Sequence, residues 1–180
     1  MTQSKIAGLV AALTLATMLG APALAVADET FKARLSGFQE VLPISTEASG
    51  EFRATLGEDE TSIEYELSYD NLSGTVSQGH IHFGQRGVNG GISVWLCETE
   101  GQFIDPAGKA PKCPQSGTVT GKITAENVIG PAGQGVAAGE FAELVDAMRA
   151  GVTYANVHTL PQFGGGEIRG QIKKAKGDRD

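Results

Sequence analysis

The chain is expected to fold as an all-β protein, an antiparallel immunoglobulin-like β-sandwich or barrel with one short connecting helix. Short runs alternate apolar and polar residues with a period of two, as strands with one wet face do. Gly, Asp, Asn and Ser separate these runs at the spacing of sandwiches and barrels. Only one stretch carries a helical period. Taken in order, Phe31, Ala33 and Leu35 alternate with Lys32, Arg34 and Ser36, and Phe52, Ala54 and Leu56 alternate with Arg53 and Thr55. An acidic turn, Gly57-Glu58-Asp59-Glu60, leads to Ile63, Tyr65, Leu67 and Tyr69, set against Ser62, Glu64, Glu66 and Ser68. Asp70 to Gly74 has turn composition and precedes a strand carrying His80 and His82. Gly84 to Gly91 reads as a glycine-rich loop; it leads into a strand rather than a helix, which argues against a dinucleotide site. Ile92 to Cys97 and Thr118 to Thr124 are further strands. Phe141, Leu144, Val145 and Met148 fall at helical spacing with Gly151 as the stop. Thr153 to His158 and Glu167 to Ile172 complete the sheet.

Residues 1–27 combine Lys5, an apolar run from Ile6 to Leu19 and an Ala-rich end. This is the pattern of a cleaved secretory signal, and the apolar run is too short and too interrupted to read as a membrane span. The expected organisation is therefore a leader over 1–27, one domain over 28–172 and a charged, mobile tail over 173–180, in an exported protein that is periplasmic or secreted. No membrane span is expected in the mature chain. The net charge is −7, and losing Lys5 makes the mature chain one unit more acidic. Such a balance argues against nucleic acid as a partner. Cys97 and Cys113 are the only two cysteines, and an exported chain is expected to pair them as a disulfide. Their spacing is not that of a CxxC metal pair.

All three histidines lie in two strand-like motifs, His80-Ile81-His82 and Val157-His158-Thr159. Residues two apart on a strand share a face, so His80 and His82 project together, as do Tyr154, Asn156 and His158. With Ile81, Phe83, Ala155 and Val157 in the core, the three imidazoles are expected on the outer side of one sheet. Neutral imidazoles in that arrangement suit a mononuclear copper or zinc ion. Asn156, Glu167 and Arg169 are candidate supports for the ligands. Cross-strand hydrogen bonding is the metal-free alternative, with Glu167 and Arg169 as an ion-pair ladder. No candidate catalytic residue stands out, since nothing matches a Gly-x-Ser-x-Gly elbow.

The segments Leu35-Ser36-Gly37-Phe38-Gln39-Glu40-Val41-Leu42-Pro43, Leu72-Ser73-Gly74, Gly79-His80-Ile81-His82-Phe83-Gly84, Gly87-Val88-Asn89-Gly90-Gly91, Gly151 to Thr159 and Gly166 to Gln171 stand out together. Taken as a set, they resemble the CHRD family, the domain named after chordin and also found in bacterial exported proteins. They run in the family's order from about Phe31 to Ile172. Leu42, Gly79 and Gly91 stand where the family often has Pro, Ala and Pro. The resemblance implies an immunoglobulin-like sandwich and an extracellular role; chordin's growth-factor antagonism is not carried over, because fold does not fix function. The histidine pattern is also similar to part of the copper site of Cu/Zn superoxide dismutase, a β-sandwich, but three histidines cannot supply that enzyme's bridging imidazole. The expected function is a binding or structural module with a three-histidine metal site, acting on an unidentified extracytoplasmic ligand or protein. The alternatives are a copper redox or zinc hydrolytic enzyme using the same residues, with Glu167 as base, and a metal-free macromolecule-binding module.

Overall fold

A computed structural model describes residues 28–175. The leader expected over 1–27 and the last part of the expected tail, 176–180, lie outside the described residues. Among the described residues the strands are β1 (Glu29–Ser36), β2 (Ser49–Leu56), β3 (Ile63–Asp70), β4 (Thr75–Phe83), β5 (Gly91–Glu98), β6 (Gly117–Ile123), β7 (Thr153–Leu160), β8 (Phe163–Gln171) and β9 (Lys173–Lys174), with one α-helix, α1 (Phe141–Arg149), and three single-turn 3-10 helices. They form one nine-stranded sheet in the order β5-β4-β7-β8-β1-β2-β3-β6, with β9 on β1, and every ladder is antiparallel. The sheet wraps into a nearly closed barrel.

Alternation decides what fills it. Phe31, Ala33 and Leu35 from β1, Phe52 and Ala54 from β2, and Ile63, Tyr65 and Leu67 from β3 are buried in one core with Ile81, Val94, Leu96, Ala155, Val157 and Ile168. Their polar neighbours Lys32, Arg34, Arg53, Glu64 and Glu66 are exposed, as a period of two requires. Tyr65 reaches across the interior and donates to the Leu96 carbonyl at 2.6 Å, which satisfies a hydroxyl that would otherwise be buried without a partner. The helical face Phe141, Leu144, Val145 and Met148 joins the same core, and Gly151 at φ +69° ends the turn after α1.

The edge strand β5 is tied to the segment leading into the other edge strand, β6, by the Cys97–Cys113 disulfide, 16 residues apart in sequence. Within the loop it closes, Asp105 caps itself by accepting from the backbone N–H groups of Ala107, Lys109 and Ala110. Gly79 pairs with Cys97 across β4 and β5, and a Cβ at Gly79 would sit 3.3 Å from Cys97 Sγ. That Cβ would also sit 3.2 Å from Leu67 Cδ2, so glycine lets β4 pack close to both the bridge and the core. Replacing both cysteines by Ala is expected to cost about 3 kcal/mol, mainly by freeing the loop in the unfolded chain; denaturant midpoints of the two forms check this.

The chain stays in the sheet beyond Ile172. Ile172 is buried and donates to the Thr153 carbonyl, and Lys173 and Lys174 then pair with Lys32 and Phe31. The residues opening the expected tail are thus a short strand.

Candidate metal centre

β4 and β7 are neighbours, with His80 opposite Asn156 and His82 opposite Tyr154. The histidines do share one sheet and one face, the side away from the main core. That side is not open to solvent: His80 is 0%, His158 5% and His82 8% exposed. Three segments that read as loops in the sequence cover it. Residues 37–48 bring Glu40 onto Asn156, whose Nδ2 donates to Glu40 Oε1 at 2.7 Å. The Gly84 to Gly90 loop is held by Arg169, which donates to the carbonyls of Gln85 and Val88 and to Asn89 Oδ1. Gly164 contributes a backbone carbonyl.

Those carbonyls fix the imidazole tautomers. His82 Nδ1 lies 3.0 Å from Gly90 O and His158 Nδ1 lies 3.1 Å from Gly164 O. A carbonyl only accepts, so both Nδ1 atoms carry the proton and both Nε2 atoms keep a lone pair. His158 Nε2 accepts from His80 Nδ1 at 3.2 Å. His80 Nε2 and His82 Nε2 are left as buried lone pairs with no hydrogen-bond partner. One ring nitrogen from each histidine lies within 4.8 Å of those from the other two. A ring nitrogen anchored to a carbonyl behind a free one in front is how proteins orient metal-binding histidines. Gly90 is required for this anchor, because a Cβ there would lie 1.8 Å from Phe83 O.

Aromatic rings wall the cluster. Tyr154 stacks parallel on His82 at 4.7 Å between centroids, and Arg169 lies 3.4 Å over the Tyr154 ring. Trp95, opposite His80 on β5, meets it edge to face at 4.3 Å. Burial lowers the basicity of all three rings. It brings His82 and His158 down to about 4 and His80 lower still, helped by the nearby charges of the other two. All three imidazoles are therefore neutral at pH 7, the form that ligates metals.

The other sequence candidates surround the rings without bonding them. Asn156 donates to Glu40 and to the Ile168 carbonyl. Glu167 accepts from Thr46 Oγ1, Ser73 N and Thr159 Oγ1. Although burial opposes its charge, these donors hold its carboxyl below the usual range. Arg169 reaches the cluster through Tyr154 and the 84–90 loop. Sequence reasoning missed the parts that hold the rings: a carbonyl has no side-chain signal, and Trp95 lies in a run that reads as continuously buried.

Glu40 was also missed, and it titrates unusually. Burial pushes its carboxyl up to about 7 from 4.5, against the Asn156 hydrogen bond and the Arg169 charge. The unfolded chain releases this proton near 4.5 and the folded chain near 7, so its contribution to stability is present below 4.5 and lost as pH rises through 7. Glu40→Gln keeps an acceptor for Asn156 and removes the buried charge. It is expected to stabilise the protein at pH 8 by on the order of 1–3 kcal/mol, and by much less at pH 4, measured by urea midpoints at the two pH values.

No curated protein matches this chain. The model of the CHRD domain matches it over residues 31–172, from the core phenylalanine of β1 to the buried isoleucine after β8 and through every strand that builds or covers the histidine cluster. The chain belongs to the CHRD domain family.

Proposed function

We propose that this chain is an exported CHRD module that holds one transition-metal ion, copper or zinc, at His80, His82 and His158, and that works by binding or scaffolding rather than by catalysis. The observation that carries this reading is the pair of partnerless ring nitrogens at His80 and His82, in a buried cluster where each of the three histidines places one ring nitrogen within 4.8 Å of those of the other two. A buried polar atom without a partner is costly, and a metal ion satisfies such lone pairs at once. The cluster contains no carboxylate or thiolate. That favours monovalent copper, because burying a divalent charge among neutral ligands costs more than burying a single one.

Bound there, copper would supply redox chemistry and zinc Lewis acidity. A catalytic site needs an open coordination position. The parallel stack of Tyr154 on His82 and the burial of all three rings favour a closed site instead, and the three donors already on Glu167 count against it as a base. The His80–His158 hydrogen bond supports the rival, metal-free reading. Export is supported by the disulfide, which is at home in an oxidising compartment, and among the described residues no helix is long and apolar enough to cross a membrane.

Trp95 is the only tryptophan and touches His80, so it reports on the site. Titrating copper or zinc into the protein is expected to change its emission with saturation at one equivalent, and His82→Ala is expected to abolish the change. Unchanged emission in excess of either metal would support the metal-free reading.

A further inference from the structure

The protein is acidic, with 14 Lys and Arg against 21 Asp and Glu, yet six of its cations line one groove. Lys32 and Arg34 from β1, Arg53 from β2, Arg86 from the 84–90 loop, and Lys173 and Lys174 of β9 surround a concavity of about 600 Å³. Glu51 is the only acid lining it, and it is paired with Arg53 at 2.9 Å. Lys174 is paired with Glu29. Lys32, Arg34, Arg86 and Lys173 are exposed and make no ion pair among the described residues.

The register makes this arrangement unfavourable for the fold. Lys32 lies directly opposite Arg53 on one side and Lys173 on the other, and like charges directly opposite in a sheet repel. The arginines are better placed, with Arg34 directly opposite Glu51 and Arg53 directly opposite Glu66. The repulsion is therefore concentrated at Lys32 and Lys173, which face each other across β1 and β9 with no acid between them. The groove lies on the outward face of β1, beside the loops that cover the histidines, and does not include the histidines.

We propose that this groove binds a small ligand bearing two or more phosphate groups. Guanidinium forks grip phosphate oxygens in pairs while lysines add point charge, and both occur here around one concavity. Its volume lies in the ordinary range for small-ligand sites, about 300–1,000 Å³. A concave wall ringed by side-chain cations from four segments suits a compact anion better than a flat bilayer. This site is independent of the metal centre.

Tripolyphosphate is the probe, titrated by calorimetry at constant ionic strength, with chloride as the control salt. One saturable site is expected, weakened at least tenfold in Lys32→Gln/Lys173→Gln and in Arg34→Gln/Arg86→Gln. The first double variant is also expected to unfold at a higher temperature than the parent without ligand, since it relieves the repulsion. That opposite pair of signs separates loss of a site from damage to the fold. Affinity within twofold of the parent in both variants would overturn the proposal. So would binding confined to phosphatidylglycerol vesicles with none to tripolyphosphate, which would make the groove a membrane-facing surface.

Discussion

Arg169→Ala is expected to cost about 3–5 kcal/mol, because it removes a buried, hydrogen-bonded cation and leaves its partners unpaired. Arg169 is 2% exposed. Its guanidinium stacks on Tyr154 and holds the 84–90 loop at Gln85, Val88 and Asn89. The loop's last residue, Gly90, anchors His82, so the substitution is expected to free His82 Nδ1 from its carbonyl as well as to lower stability. Amide exchange at Gly90, whose N–H donates to the Tyr154 hydroxyl, is expected to quicken more than the global loss of stability explains. Arg169→Lys keeps charge but not the fork and should fall between the two. Loss of less than about 1 kcal/mol in the Ala variant would show that the loop is held by other contacts.

The metal-free protein is expected to lose stability in acid over a defined window. His82 and His158 take up protons near pH 4 when folded and near 6.5 when unfolded. The unfolded chain therefore binds more protons between those values, and stability present above about 6.5 is lost as pH falls toward 4, on the order of 3 kcal/mol for each ring. His80 shifts in the same direction. Bound metal opposes this loss: an ion at a thousand times its dissociation constant adds about 4 kcal/mol, and that gain should itself shrink in acid as protons compete for the rings. Urea midpoints from pH 7 to pH 4, with and without one equivalent of metal, test both slopes. A double variant, His82→Gln/His158→Gln, should show a much flatter acid limb, whereas an unchanged limb would place the acid sensitivity elsewhere.

Period-two alternation made the strands readable because one face of each is wet, as in Ile63 to Tyr69, where every second residue is buried. The same rule put His80, His82 and His158 on one face of one sheet. It did not show that the face is covered. Both faces of β4 and β7 are buried, but one cover is made of loops whose polar composition reads as exposure. Arg169 and Glu167, charged and nevertheless fully enclosed, mark that second interior; in the sequence they look like an ordinary surface pair. β9 was hidden for a related reason, since Lys173 and Lys174 pair through their backbones while their side chains remain exposed. The basic groove was invisible because its cations come from four separate segments, and net charge averages them away.

Metal content of the protein purified from its native cells, without chelator or histidine tag, tests the three-histidine site most directly when His80→Ala, His82→Ala and His158→Ala are measured beside it. Near-stoichiometric copper or zinc in the parent, lost in all three folded variants, is the expected result. A parent free of metal, or variants that retain it, would contradict a site shared by these three residues.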